Sequence, residues 1–477
     1  MRSIFLLLLL SGCLSMSQED QIKNLLPTPS LETTVSQSEE TPFFSRGHWP
    51  EEAWWEVFES HNLNELMRIA LLSNPSIQSI EQTIDRARAR AVIARSSLYP
   101  LVYFNYDDNW QYLSQNGLYR AFNPQLPLNA NLVDLSLSFT YEFDFWGKYR
   151  NLFQAALGMQ KAQEAEAAQV KLITTTAIAQ SFFALKTNLI RLDLYRKLYA
   201  VRKNIYELQT LLLDNALYSK LPVLLSEEQL YESAKLVYNI EEEVATDKHL
   251  LNILVGNGPD VELGIDATLP PLPKRLAIPS DVSLNLIARR PDLMAQIWRV
   301  ESIAHEVGAA KADFFPNISL TSFLGYETVN YSKLFNGSSK TAGIEPAFNL
   351  PVYTAGAIQA GIDAKRALFD EAVFEYNQLI LESTREVADV LVFATSIFEQ
   401  QSKQEKIVKC AKERYELTIL RQKSGLDNSL ENFAFQEALL LKELENIQLV
   451  YNQYVAAVKL IKALGGGYNP QFVPIKK

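Results

Sequence analysis

From Val133 to Phe145 the chain alternates without a break. Val133, Leu135, Leu137, Phe139, Tyr141, Phe143 and Phe145 are apolar or aromatic, whereas Asp134, Ser136, Ser138, Thr140, Glu142 and Asp144 are polar. A period of two belongs to a strand with two unlike faces. Leu101 to Trp110 alternates less cleanly, and a loop carrying Asn116-Gly117 sets the two up as a hairpin. The second half repeats the pattern. Ile318, Leu320 and Leu324 oppose Ser319 and Thr321, and Ile344, Phe348, Leu350 and Val352 alternate with Glu345, Ala347 and Asn349. Strands are predicted over 101–110, 132–145, 317–326 and 343–353.

Elsewhere the period is helical. Asn62–Ser73 and Ser76–Ser97 read as helices split by Pro75. Lys148 to Leu221 holds no proline and only Gly158 as glycine; Ala355 to Ser424 holds no proline and only Gly356 and Gly361. Long helices are predicted over 148–218 and 355–424, each about 105 Å at 1.5 Å per residue. Leu194, Leu198, Val201, Ile205, Leu208 and Leu212 form a 4-3-4-3-4 seam, as do Leu440, Leu444, Ile447, Tyr451, Tyr454, Val458 and Ile461 on the last helix. Spacing that averages 3.5 residues is the mark of coiled-coil packing. Gly158, Ala165, Leu172 and Ala179, seven apart, are mostly small and allow helices to approach closely.

The two halves match. Pro75 and Tyr99-Pro100 recur 216 positions on as Pro291 and Phe315-Pro316, and Leu254-Val255-Gly256 has its counterpart in Leu464-Gly465-Gly466. The chain reads as a tandem duplication, each half running helix, helix, strand, strand, long helix, helix. The expected divisions are a signal peptide at 1–12, a tether at 13–47, a first repeat at 48–269, a Pro-rich linker at 270–280, a second repeat at 281–467 and a tail at 468–477.

A net charge of −10 and the absence of a Lys/Arg cluster exclude a nucleic-acid partner. No apolar run after the N-terminus is long enough for a transmembrane helix. Arg2 followed by Ile4–Leu10 reads as a secretory signal. The signal ends in Leu10-Ser11-Gly12-Cys13, which resembles a bacterial lipobox; that resemblance implies cleavage before Cys13 and its lipidation, palmitate included. The alternative is an ordinary signal peptide that contains a cysteine. Leu14 lacks the Asp associated with inner-membrane retention. Cys410, the other cysteine, reads as a small packing residue.

Four amphipathic strands cannot close a membrane barrel, for which eight is about the minimum. An open sheet in lipid would leave backbone groups unsatisfied at several kcal/mol each. Several chains must therefore share one barrel, continued by the long helices. Asp134, Glu142, Asp144 and Glu345 alternate with the lipid-facing residues and are expected to face its lumen.

In this order, and twice over, the motifs resemble the TolC-like outer-membrane factor family in its NodT-type lipoprotein branch. The residues that carry the resemblance are Trp54-Trp55, Ala70-Leu71 with Asn74-Pro75, Tyr99-Pro100, Phe143-Asp144-Phe145-Trp146-Gly147-Lys148, Arg289-Arg290-Pro291-Asp292-Leu293, Phe315-Pro316 and Gly425-Leu426-Asp427-Asn428 leading to Gln436. The resemblance implies a mainly α fold with a membrane β-barrel: a homotrimer whose four strands per chain share one twelve-stranded barrel, continued by a coiled-coil periplasmic tunnel. It also implies an outer-membrane location and passive export of small molecules in a tripartite efflux system of resistance-nodulation-division type. The partners would be a periplasmic adaptor and an inner-membrane pump. A type I secretion exit duct and a lipid-anchored scaffold without a pore are the alternatives.

The same resemblance places a gate where the long helices turn around. Leu430 matches its apolar ring position, Ala434 stands at the usual acidic position, and Glu437 stands where a basic residue is common. Asp427 and Glu431 are the remaining candidates for a negative ring, although Asn428-x-x-Glu431 also reads as a capping box and Leu430 also reads as a seam residue. Gly425 reads as a left-handed helix terminator. Ser219, Lys220, Leu221 and Pro222 form the first tip turn and Gly425 and Leu426 the second, with adaptor docking at both implied by resemblance. Nothing in the pattern supplies catalysis, a metal site or a cofactor. His48, His61, His249 and His305 are scattered, and Glu301 and His305 are four apart rather than the three of a di-iron motif.

Overall fold

Prolines and glycines punctuate the chain. In the computed structural model, which describes residues 25–273, 275–279 and 282–470, the order is α1 (Glu32–Glu39), β1 (Phe44–Gly47), α2 (His61–Ser73), α3 (Pro75–Ser96), β2 (Leu101–Tyr112), α4 (Leu118–Phe122), β3 (Asn129–Glu142), α5 (Lys148–Asp214) and α6 (Lys220–Val255). The second half adds β4 (Leu276–Pro279), α7 (Val282–Arg289), α8 (Pro291–Ala312), β5 (Asn317–Thr328), β6 (Lys340–Asn349), α9 (Ala357–Lys423) and α10 (Ser429–Ala463). Cys13 lies outside the described residues.

Asn74 both ends α2 and starts α3. Its Oδ1 accepts from the N–H groups of Ser76 at 2.8 Å and Ile77 at 3.2 Å, while Pro75 fills the first helical position, where no N–H is needed. Pro291 takes the same place in α8. The two long helices, α5 and α9, have 67 residues each, about 100 Å of rod.

β2, β3, β5 and β6 form one antiparallel sheet in that order, so the β3–β5 ladder joins the two halves and β2 and β6 are its edges. Helices α3, α6, α8 and α10 all pack on α5. Gly158 lets α8 come close, since a Cβ there would sit 3.1 Å from that of Ser302, whose hydroxyl donates to the Ala155 carbonyl at 2.7 Å. Farther along, the two heptad seams meet each other. Leu194, Leu198, Val201 and Ile205 of α5 cluster with Leu440 and Ile447 of α10.

The main core lies midway along the rods. Phe58 packs edge-on against Phe183 at 4.9 Å, and Phe183 stacks on Tyr454 at 4.2 Å. The Tyr454 hydroxyl donates to the Pro270 carbonyl at 2.5 Å, and burial pushes its pKa up to about 12. Buried Lys186 donates to the carboxylate of Asp266 and the carbonyl of Thr268, which fastens the connection between the halves onto α5.

Three expectations need correcting. Residues 25–47, read as tether, include α1 and β1. Leu31 and Phe44 are buried in the core, and Phe44–Gly47 pairs in parallel with Leu276–Pro279, inside the stretch read as linker. The tether reading follows from a stretch, residues 14–47, rich in Ser, Thr, Glu and Pro, whose few apolar residues fold against distant parts of the chain. β3 covers 129–142 rather than 132–145, because the chain leaves the ladder after the Phe143 N–H reaches the Ile318 carbonyl. β6 covers 340–349 rather than 343–353, because its ladder runs out where the partner strand β5 begins, Asn349 pairing with Asn317.

Candidate functional site

The strand register fixes which residues share a face. Phe104, Leu137, Leu324 and Ala342 lie abreast on one face of the sheet. On the other face Asp107 stands opposite Asp134, and Asp134 opposite Glu327, so three carboxylates form one row. Glu345 pairs with Thr321 and Glu142 with Ser319 on the same face, where no strand residue is Lys or Arg. The expected wall residues Asp134, Glu142 and Glu345 are thus together. Asp107 and Glu327 join them, missed because their own strands alternate poorly; only the register reveals the row.

Asp144 does not belong to that face. It lies past the end of β3, and its carboxylate accepts from the backbone N–H groups of Tyr149 at 3.0 Å and Arg150 at 2.9 Å. It caps α5, where a negative charge meets the positive end of the helix dipole. Next to it the Trp146 indole donates to the Pro316 carbonyl at 2.8 Å and stacks on Phe315, and Lys148 pairs with Asp313 at 2.8 Å, joining the halves where sheet becomes helix.

At the second helix tip Gly425 is left-handed, at φ +74°, and the Leu426 N–H reaches back to the Arg421 carbonyl at 3.0 Å. At the first tip Ala216 holds the equivalent left-handed position, at φ 56°. The first turn is therefore Asn215–Ser219, with Ser219 preceding α6 and Lys220, Leu221 and Pro222 already in its first helical turn, where proline is tolerated. Leu221 and Leu426 are 76% and 69% exposed, so each tip presents an apolar side chain outward.

The gate candidates separate. Asp427 is held by Arg421, Nε to Oδ2 at 2.6 Å and Nη2 to Oδ1 at 2.7 Å, and this guanidinium keeps its carboxyl below the usual range. The Glu431 N–H donates to Asn428 Oδ1 at 2.9 Å, making Asn428 the N-cap of α10, while the Glu431 side chain is exposed. Leu430 is half-buried against the α5–α10 seam, and Ala434 is exposed. Glu437 has a partner the sequence did not show. Arg202 of α5 donates to it from Nε at 3.0 Å and Nη2 at 2.9 Å, and from Nη1 to the Gln229 carbonyl of α6 at 3.0 Å. With side chains 12% and 17% exposed, this pair ties α10 to both helices of the first half. Among the described residues no cluster could hold a metal ion, and no helix is long and apolar enough to cross a membrane.

Paired rods of this length, joined to a two-faced antiparallel sheet, have the architecture of a TolC-like outer-membrane channel. The profile of the family described as "Outer membrane efflux protein" matches residues 66–257 and 282–466, and the chain belongs to that family. It is 26% identical over 474 residues, 97% of each chain, to the multidrug resistance outer membrane protein MdtQ of Escherichia coli O6:H1. Its fold matches the Campylobacter jejuni CmeC outer membrane channel with a TM-score of 0.84 at 21% identity, covering 95% of each chain. It matches the outer membrane protein VceC of Vibrio cholerae with a TM-score of 0.78 at 27% identity, covering 88% of this chain and all of that one. The protein is an outer-membrane protein of an efflux-channel family, not of an enzyme family.

Proposed function

We propose that the protein is the outer-membrane exit duct of a tripartite efflux system, passing small molecules supplied by an inner-membrane pump through a periplasmic adaptor. One observation carries this reading: the sheet has an apolar face, an acidic face and two unpaired edges, β2 and β6. In lipid those edges require partners. Three copies joined edge to edge make a twelve-stranded barrel with the carboxylate face inward, continued by the α5, α6, α9 and α10 rods as a tunnel. The names of relatives support drug-like cargo. Cys13, lipidated, would anchor each copy.

Tandem duplication is supported by the two spans matched by the family profile and by a repeated contact. Gly256, at φ +89°, lies against the carbonyl of Ser73, and Gly465, at φ +88°, against that of Arg289. In each case the residue before a helix-opening proline reaches across: Asn74 to the Leu254 carbonyl at 2.7 Å, and Arg290 to the Ala463 carbonyl at 3.0 Å.

For the gate, the Arg202–Glu437 link holds the second helix pair against the first. Leu430 and Glu431 lie beyond that link at the tip, with Asp427 stiffening the turn through Arg421. Leu221 and Leu426, with Ser219, Lys220, Pro222 and Gly425 shaping the turns, offer the adaptor its contact. The test is reconstitution of the purified protein into planar lipid bilayers. Discrete, long-lived conductance steps are expected, and silent bilayers over protein-containing membranes would refute the duct.

A further inference from the structure

The helical rods enclose a cleft that serves neither the sheet nor the tips. It measures about 280 Å³, close to the lower end of small-molecule sites at about 300 Å³. Three helices line it, with Asn188 and Arg191 from α5, Glu243 and Asp247 from α6, and Gln448 and Tyr451 from α10. Arg191 is spent inside it. Its Nη1 donates to Asn188 Oδ1 at 2.7 Å and to Glu243 Oε2 at 2.9 Å. Asp247 is left short. Among the described residues its one hydrogen bond comes from the Asn188 amide, at 2.8 Å. Burial first, and then the neighbouring Glu243 charge, hold its carboxyl above the ordinary range despite that bond. The Tyr451 hydroxyl is likewise pushed up, by burial and by the Asp247 charge.

Two carboxylates against one guanidinium leave surplus negative charge in a half-buried, partly aromatic space. That combination selects an organic cation. An ammonium group would give Asp247 the charged donor it lacks, and the Tyr451 ring offers a cation its π face. A calcium ion takes about six to eight oxygen ligands. Two carboxylates, one of them already paired with Arg191, fall well short of that. An anion would meet the surplus charge.

The cleft also has a side. Lys186 of α5 reaches the connection between the halves at Asp266 and Thr268. Ala184, Thr187, Asn188 and Arg191 face the cleft instead. At about 100° per residue they centre about 150° around the helix from Lys186. In the proposed tunnel the connection must lie outside, because the interior stays open to cargo, so the cleft opens on the inner wall.

We propose that this cleft binds compact organic cations bearing an ammonium group, with Asp247 as the charged anchor, and is a holding site for cationic cargo on the way out. The binding rests on the cleft alone, and its place on the export path rests on the duct reading above.

The probe is benzylammonium, titrated into the full-length protein in detergent and followed by ligand-observed NMR, with benzoate and benzyl alcohol as controls of similar size. Benzylammonium is expected to bind the parent more tightly than either control. Its affinity is expected to fall about tenfold or more in Asp247→Asn, which keeps the shape and removes the charge. Ala184→Leu, which fills the cleft and leaves both carboxylates in place, is expected to lose binding as well. No binding in the parent, controls that bind equally well, or an affinity that either variant leaves unchanged would overturn the site. Single-channel currents read its place separately: benzylammonium is expected to add brief closures in the parent but not in Asp247→Asn. Binding with no effect on the current would overturn the inner-wall position. Silent bilayers with intact binding would refute the duct and leave the site, and conducting channels without binding would refute the site and leave the duct.

Discussion

Ala216 and Gly425 turn the chain at the two helix tips in the same left-handed conformation, at φ 56° and 74°. An L-residue there carries about 1–2 kcal/mol of steric cost, against about 0.5–1 kcal/mol of extra chain entropy for glycine. Ala216→Gly is expected to stabilise its tip by about 0.5–1 kcal/mol and Gly425→Ala to destabilise the other by about 1 kcal/mol, read by hydrogen exchange at the Leu217 and Leu426 amides. Asp427 makes its tip sensitive to acid. Because Arg421 depresses its pKa in the folded state, its contribution is present above an unfolded carboxyl value of about 3.9 and is lost as pH falls through the lower folded value. Resting conductance of the parent, but not of Asp427→Asn, is expected to rise as pH drops below about 4. The left-handed Gly425 and the Asn428 cap were legible in the sequence because each acts within a few residues. The Arg421–Asp427 pair was not, since spacing alone does not say which way a side chain points.

Among the elements, the rods and seams were legible because proline-free length and heptad spacing are local properties. That the α5 seam meets the α10 seam was not, because it is settled only when the halves pack. Arg202 and Glu437 show the same limit: they lie 235 positions apart, and the cation that pairs with Glu437 sits on another helix. Breaking a largely buried pair leaves one charge uncompensated, at about 3–5 kcal/mol. Arg202→Ala and Glu437→Ala are each expected to raise resting conductance in planar bilayers, and the swap Arg202→Glu with Glu437→Arg to restore much of the closure. Strand alternation gave the sheet but overran its end. Phe143 makes the last cross-strand hydrogen bond, and beyond it the backbone leaves the ladder so that Asp144 can cap α5, although Phe145 keeps the parity of β3.

For the whole molecule, the open edges and the acidic face have consequences for the assembly. Like charges abreast in a sheet are destabilising, and the row Asp107–Asp134–Glu327 is tolerable where water and mobile cations screen it. In the proposed trimer the row would recur three times around the lumen, interrupted at each β6, which has no strand residue opposite Glu327. Neutralising all three positions (Asp107→Asn, Asp134→Asn, Glu327→Gln) is expected to shift the reversal potential in a salt gradient toward lower cation preference. The two-faced strands made a shared barrel an inference from sequence, while the row that would line it needed the register. The central claim is that no copy closes its own pore, so β6 of one protomer must pair with β2 of the next. Native mass spectrometry of the detergent-extracted particle tests this most directly. Three identical chains in one particle are predicted, and a folded particle containing a single chain would contradict the account.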